Sequence, residues 1–381
     1  MLAHFTHHLL IALLVPLMPL IRDEFALDYT KSGLLLSVFA MSYGISHLPA
    51  GWLADRIGAR ILITVAICGV ALAGLLVGLS QTYTMMLGFL VLMGVLGGGY
   101  HPASPPLISA SVEPKNRGRA LGIHLIGGSS SFFLAPLIAA AIAVALGWRA
   151  PFIILAVPTF AFGIVFYVLL GRLVEKRKDK YRSISSPDHP AIQQRSHHLV
   201  PFIILATFTA AVLISTISFI PLFLVDNFGL AKEAAAAFIA IIYLAGLLAS
   251  PLGGYLSDRF GRVSVLLTAS FIAGPVIYML NIVPFGFGIG AILFMIGVIL
   301  YTPQPASEAY IVGQVSGHRR SSILGIYFSG SMVGAGAIIP LLGYSIDHIG
   351  FATSFTIAGV ALVVVSIICS IWLWGKAAHR V

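Results

Sequence analysis

Twelve apolar runs fill almost the whole of this 381-residue chain, at about 2–21, 31–53, 60–80, 83–111, 119–146, 150–171, 200–225, 234–256, 263–281, 285–312, 321–345 and 351–375. Most reach the roughly 20 residues that a helix needs to cross about 30 Å of hydrocarbon. Inside a bilayer every backbone N–H and C=O must find its partner within the protein, which leaves only helices or a closed barrel. Runs this long exceed barrel strands, so the predicted class is an all-α membrane protein with twelve transmembrane helices. Charged side chains make up 9% of the chain, against about 25% in soluble domains, and the mean hydropathy is +1.00. Cys68 and Cys369 both lie inside apolar runs, which argues against a disulfide framework or a thiolate metal centre.

The net charge of +9 invites a nucleic-acid reading until the basic residues are placed. Of the 22 Lys and Arg, 18 fall on one set of connections: Arg56 and Arg60, the 115–119 turn, the 172–199 stretch, Arg259 and Arg262, Arg319 and Arg320, and the C-terminal tail. The other set holds only Arg22, Lys31, Arg149 and Lys232. Such an imbalance sets orientation, predicting a cell-membrane protein with both termini cytoplasmic and no nucleic-acid partner. The stretch EKRKDKYR at 175–182, followed by SSPDHP, is expected to be a polar linker touching lipid headgroups. The first run begins beside Met1 with no cationic lead or cleavage site, and is expected to be a first span rather than a signal peptide.

The chain also repeats itself. GWLADRIGAR at 51–60 returns as GYLSDRFGRV at 254–263, LGI at 121–123 returns at 324–326, and Gly127, Gly147 and Phe152 return as Gly330, Gly350 and Phe355, all at a spacing of 203. Tyr100 and Pro102 return as Tyr301 and Pro303 at 201. Two bundles of like orientation are therefore expected, 1–171 and 200–381, joined by a cytoplasmic linker at 172–199 and related by an axis along the membrane normal. Such a pair encloses a cavity near the bilayer midplane and opens alternately to either side as one bundle rocks against the other.

Gly51, Asp55, Arg56, Gly58 and Arg60, with Gly254, Asp258, Arg259, Gly261 and Arg262, resemble the signature between spans 2 and 3 of the major facilitator superfamily, and the resemblance covers the whole chain. Glycine permits the tight turn, Asp can accept hydrogen bonds from a facing helix N-terminus, and Arg can tie carboxylates at neighbouring helix ends. The resemblance implies a cytoplasmic latch that stabilises the outward-facing state, with Glu113 as the candidate partner of Arg56 or Arg60. The plainer reading is that these charges only set topology. It also implies that spans 1, 4, 7 and 10 line the cavity. GGGYHPASPP at 97–106, RGRALGIHLIGG at 117–128 and HFTHHL at 4–9 are similar to the fosmidomycin-resistance branch of the superfamily. Met93 stands where many proton-driven exporters carry Arg in span 4, and span 5 has alanines where antiporters repeat glycine.

Ionisable groups inside spans are costly and mark transport paths. Here they are His4, His7, His8, His47, His101, His124 and Glu308. Tyr301, Gln304 and Glu308 recur at i, i+3 and i+7 and are expected on one helix face. Glu308 maps onto Leu107 in the other half, and a carboxylate that breaks the repeat suits a proton carrier; the alternative is an ion pair with Arg259, Arg262 or Arg320. His101, beside Tyr100 and just beyond three glycines, is expected where a kink at Pro102 opens the cavity wall, and it can carry protons, bind an anionic solute or simply bond between helices. His124 maps onto Tyr327, which suggests polar positions facing each other across the halves. Arg22 can meet an anionic solute or anchor in headgroups, and His47 is expected to snorkel to the interface. His4 and His8 share a helix face at metal-ligand spacing, but no cluster of Cys or carboxylates accompanies them, so no metal is expected.

No nucleotide, nucleophile-elbow or metalloprotease motif is present, and neither an enzyme nor a cofactor is expected. The sequence therefore reads as a monomeric secondary transporter that moves a small organic solute by alternating access, coupled to protons, with drug or organic-anion efflux favoured. The alternatives are proton-symport uptake of a metabolite or, in another class, a membrane receptor or a histidine-cluster metalloenzyme.

Overall fold

The computed structural model describes residues 1–113, 116–181, 198–314 and 320–374. Among them it is helical throughout, without strands. The helix that begins at Arg149 continues to Tyr181, and most of the expected 172–199 linker lies outside the described residues. Eleven segments are long and apolar enough to cross a bilayer. The last, Ile323–Leu373, has 51 residues, twice what one crossing needs. Gly350 breaks it with φ 76° and ψ 170°, so the chain crosses twelve times, as two six-helix bundles.

The sequence repeat is written into the backbone. Gly58 and Gly261 end spans 2 and 8 with φ/ψ of 86°/143° and 90°/144°. Gly147 and Gly350 end spans 5 and 11 with 77°/169° and 76°/170°. A side chain with a Cβ is strained at such positive φ, so glycine is dictated at both ends of each half.

Three spans break near their middle, and each break has a proline behind it. Span 1 is Leu2–Ile11 then Leu14–Glu24, span 4 is Tyr83–Gly97 then Tyr100–Ser111, and span 10 is Phe287–Tyr301 then Pro303–Gln314. Proline lacks the N–H that would bond the carbonyl four residues earlier and clashes with that carbonyl. Pro16 thus disrupts the turn at Ala12, Pro102 at Gly98, and Pro303 and Pro305 the turns at Ile299 and Tyr301. Broken helices at membrane depth survive only where protein or a polar cleft serves the freed backbone groups. Span 7, Leu199–Phe228, runs unbroken through the same central region.

The halves meet along spans 2 and 11 and along spans 5 and 8. Gly33 and Gly44 of span 2 lie against Ile339 and Met332, while Gly336 and Gly343 of span 11 lie against Met41 and Tyr29. Between helices in lipid there is little hydrophobic drive, so such small-residue contacts supply the packing. Ser37 Oγ donates to the Gly336 carbonyl at 2.5 Å, and Phe132 packs on Tyr243 at 5.1 Å.

Candidate functional site

The broken spans 1 and 4, with spans 2 and 5, bring six imidazoles together in the first half. His7, Tyr100, His4 and His124 lie near-parallel: His7 to Tyr100 is 4.3 Å between ring centres, Tyr100 to His4 5.4 Å, and His4 to His124 4.2 Å. His4 Nδ1 donates to the His124 carbonyl at 2.9 Å, which leaves Nε2 with the lone pair. His124 Nε2 lies 3.4 Å from Ser104 Oγ, and His7 Nε2 lies 3.2 Å from the Tyr43 hydroxyl. His8 Nε2 and His101 Nε2 are 3.1 Å apart. The His101 ring also stacks near Phe328 of span 11, at 6.2 Å, and so carries the cluster to the boundary with the other half.

The second half answers this cluster with smaller and oxygen-bearing groups. Thr207 and Ala211 occupy the places of His4 and His8 at the 203 spacing. With Ile204, Phe208, Gly330 and Gly334 they line a crevice of about 190 Å³ between spans 7 and 11. Tyr301 lies over Gly246, with Tyr243 at 6.5 Å. Gln304 Nε2 donates to Glu308 Oε1 at 3.4 Å. The expected shared face of Tyr301, Gln304 and Glu308 is interrupted, because the span breaks at Thr302 and puts Tyr301 on the preceding helix. Glu308 is half-buried and has no ion pair among the described residues; Arg259 bonds the Tyr255 hydroxyl at 3.3 Å, and Arg262 the Ala309 carbonyl at 2.9 Å.

At the end of the molecule away from the basic turns, a polar latch joins the halves. Arg22 grips Asp226 with both terminal nitrogens, Nη2 to Oδ1 at 3.0 Å, and the Tyr29 hydroxyl donates to Asp226 Oδ2 at 2.6 Å. Lys232 pairs with Asp23. Asp23 and Asp226 are 203 apart, and so are Tyr29 and Lys232, so each half extends an Asp to the matching partner of the other. Asp347 accepts the backbone N–H groups of Tyr29 at 2.9 Å and Thr30 at 2.8 Å, placing an anion on the unpaired N-terminal donors of span 2. Glu24 instead serves its own half, accepting from Trp148 at 2.5 Å and from Arg149. The hydrogen bonds of Arg22, Tyr29, Thr30 and Ser37 and the ion pair of Lys232, all of which join the halves, lie between this acidic end and Ser37.

At the basic end, Arg56 lies over the Trp52 ring at 4.1 Å. Arg60 lies over Tyr167 at 3.8 Å and donates to its carbonyl at 2.9 Å, so its guanidinium is taken up by span 6 rather than by Glu113. Asp258 and Arg262 line an open cleft of about 400 Å³ with Tyr310. The Asp55 side chain lies outside the described residues.

Several placements correct the sequence reading. Arg22, expected to meet an anionic solute or a headgroup, is held instead by the carboxylate of Asp226 from the other half at the acidic end. His47 does not snorkel: it is 3% exposed, with Nδ1 2.6 Å from the Tyr43 carbonyl. His124 and Tyr327 do not meet, each turning into its own half, where Tyr327 packs on Phe328 at 5.2 Å. The expectation of no metal looked for Cys or carboxylate beside His4 and His8, whereas the structure brings up His101, another imidazole, from span 4. Asp226, Asp347, Tyr29 and Lys232 were missed, although the 203 spacing of Asp23 and Asp226 was there to be read.

Known proteins share this architecture. The bacterial homolog of the human lysosomal transporter Spinster, in its inward-facing and occupied conformation, superposes with a TM-score of 0.75 over 99% of this chain and 94% of its own, at 18% identity. A POT family transporter in complex with a thioalcohol-conjugated peptide superposes with a TM-score of 0.81 over 100% of this chain and 96% of its own, at 14% identity. In sequence, the multidrug resistance protein MdtG of Citrobacter koseri is 28% identical over 97% of this chain and 91% of its own length. The hexuronate transporter of Bacillus subtilis is 25% identical over 90% and 85%. The sequence profile of the Major Facilitator Superfamily matches residues 1–304 and 202–381. Twelve crossings, a doubled turn signature and a profile that spans the chain agree: this multi-pass membrane transporter belongs to the major facilitator superfamily.

Proposed function

We propose that the chain is a proton-coupled exporter of small organic solutes, with Glu308 as the proton carrier. The observation that carries this is the setting of Glu308: a half-buried carboxylate on the broken span 10, held by the neutral Gln304 and by no cation among the described residues. A carboxylate so placed is costly in hydrocarbon when charged and can bind a proton on one side of the membrane and release it on the other. The solute lies between this group and the rings of Tyr100, His101, Tyr301, His7 and His124. The halves at 1–171 and 200–381 rock about it as one monomer, with the basic end and both termini cytoplasmic. The turns at Asp55–Arg60 and Asp258–Arg262, with Glu113, close the cytoplasmic side when the acidic latch opens. Drug-like compounds or organic anions as the cargo are supported by relatives named for multidrug resistance and for hexuronate, an organic anion, and the first of these names favours export.

The test is Glu308→Gln in proteoliposomes. Flux driven by a pH gradient is expected to vanish while solute exchange at equal pH persists. If the gradient drives the variant as well as the parent, Glu308 has no part in coupling. A thermal-shift screen of organic anions and antibiotics on the detergent-purified chain supplies the solute.

A further inference from the structure

We propose that His4, His8 and His101 form a binding site for a divalent transition-metal cation of the zinc, cobalt and nickel class. One ring nitrogen from each of the three lies within 4.8 Å of the other two. Tetrahedral coordination with metal–nitrogen bonds of about 2.0–2.1 Å sets ligand nitrogens about 3.3 Å apart. His8 Nε2 and His101 Nε2, at 3.1 Å, already have that separation, and no pair of the three-nitrogen set has more than about 1.5 Å to close.

The hydrogen bonding of His4 is that of a ligand rather than of a satisfied core residue. A neutral imidazole has one donor and one acceptor nitrogen. His4 gives its donor, Nδ1–H, to the His124 carbonyl, the backbone anchor by which metal-bound imidazoles are held in one tautomer. Its Nε2 is then a lone pair without a partner, on a side chain only 3% exposed. His8 is 6% exposed, and with Nε2 as its ligand atom its Nδ1–H has no acceptor among the described residues, so His4 alone supplies the anchored tautomer. Neutral nitrogen donors with neither sulfur nor carboxylate among them suit borderline divalent cations and not magnesium or calcium. Three protein ligands leave a fourth position open to water or to a donor atom of a bound molecule. The His101 ring itself stacks near Phe328 of span 11, at the boundary with the second half. The site goes beyond the transport reading and stands on the nitrogen geometry alone, so a metal-free protein would leave the Glu308 experiment untouched.

The experiment uses the full chain purified in detergent with an affinity tag that contains no histidine, stripped with chelator and titrated with Co²⁺. About one Co²⁺ per chain is expected, with the visible bands of tetrahedral cobalt, displaced by Zn²⁺. His8→Asn and His101→Asn each remove a ligand. Their affinity should fall by more than the ~10–100-fold known for outer-shell changes, whereas His348→Asn at the acidic end leaves binding unchanged. X-ray absorption at the zinc edge reads the ligands directly in the parent chain, whatever the folding of the variants, and three imidazoles are expected. The proposal is overturned by a stripped, monodisperse parent that takes up no Co²⁺ or Zn²⁺, by fewer than three imidazoles at the edge, or by folded variants that bind with parental affinity.

Discussion

Asp226 takes hydrogen bonds from Arg22 and Tyr29 at once, and among the described residues no other carboxylate at the acidic end joins two groups of the opposite half through their side chains alone. Charged hydrogen bonds are worth about 1.5–3 kcal/mol when shielded, and the 26% exposure of the Asp226 side chain places it near the lower bound. Asp226→Asn should therefore favour opening of the acidic end by about 1–2 kcal/mol, a roughly 5–30-fold shift. Ser37→Cys, in a chain lacking Cys68 and Cys369, reports it as faster maleimide labelling, and an unchanged rate would deny the latch. Tyr29→Phe loses one bond and should shift the rate less. At this scale the sequence was half legible. The spacing of His4 and His8 shows that they share a helix face, but their third neighbour stands 93 residues beyond His8 on another span. The reach of Arg22 is hidden for a similar reason: the register between two bundles is set by how they dock, and the periodicity within either one carries no record of it.

The turn signature divides its glycines between two tasks. Gly58 has φ 86°, whereas Gly51 is helical with open space beside it. Gly58→Ala should cost about 1–3 kcal/mol of backbone strain, while Gly51→Ala is neutral or mildly stabilising. Thermal unfolding of the two variants in detergent distinguishes them, and equal melting temperatures would refute the assignment. Asp55→Asn should move the protein towards states open at the basic end, measured as slower labelling of Ser37→Cys from the acidic side; faster labelling would contradict a latch at the basic end. The elements themselves were largely legible, since twelve apolar runs became twelve crossings. The kink that Pro102 puts into span 4 was legible beside His101, but the breaks in spans 1 and 10 were not drawn out of Pro16, Pro303 and Pro305. A hydrophobic run registers length and apolarity but is blind to a lost N–H. That is why Tyr301 was expected on a continuous face with Glu308.

On the scale of the whole molecule, the two halves share a backbone and differ in chemistry. The first packs imidazoles where the second has Thr207, Ala211 and a crevice, and the second holds Glu308 where the first has Leu107. Duplication was readable because turns conserve their glycines; the division of polar groups had to be seen in space. The acidic latch has a consequence for the surroundings in which such a carrier works. Its ion pairs are reachable by water, so dissolved ions compete with them, and the Debye length shortens from about 10 Å at 0.1 M salt to about 3 Å at 1 M. Brine on that face should loosen Arg22–Asp226 and Asp23–Lys232 together while the glycine contacts of spans 2 and 11 hold. Ser37→Cys labelling should then quicken with ionic strength, and that response should disappear when Asp23 and Asp226 are both made Asn. The salinity of the medium on that face would thus act as a throttle on the cycle, built from nothing more than four side chains and their exposure.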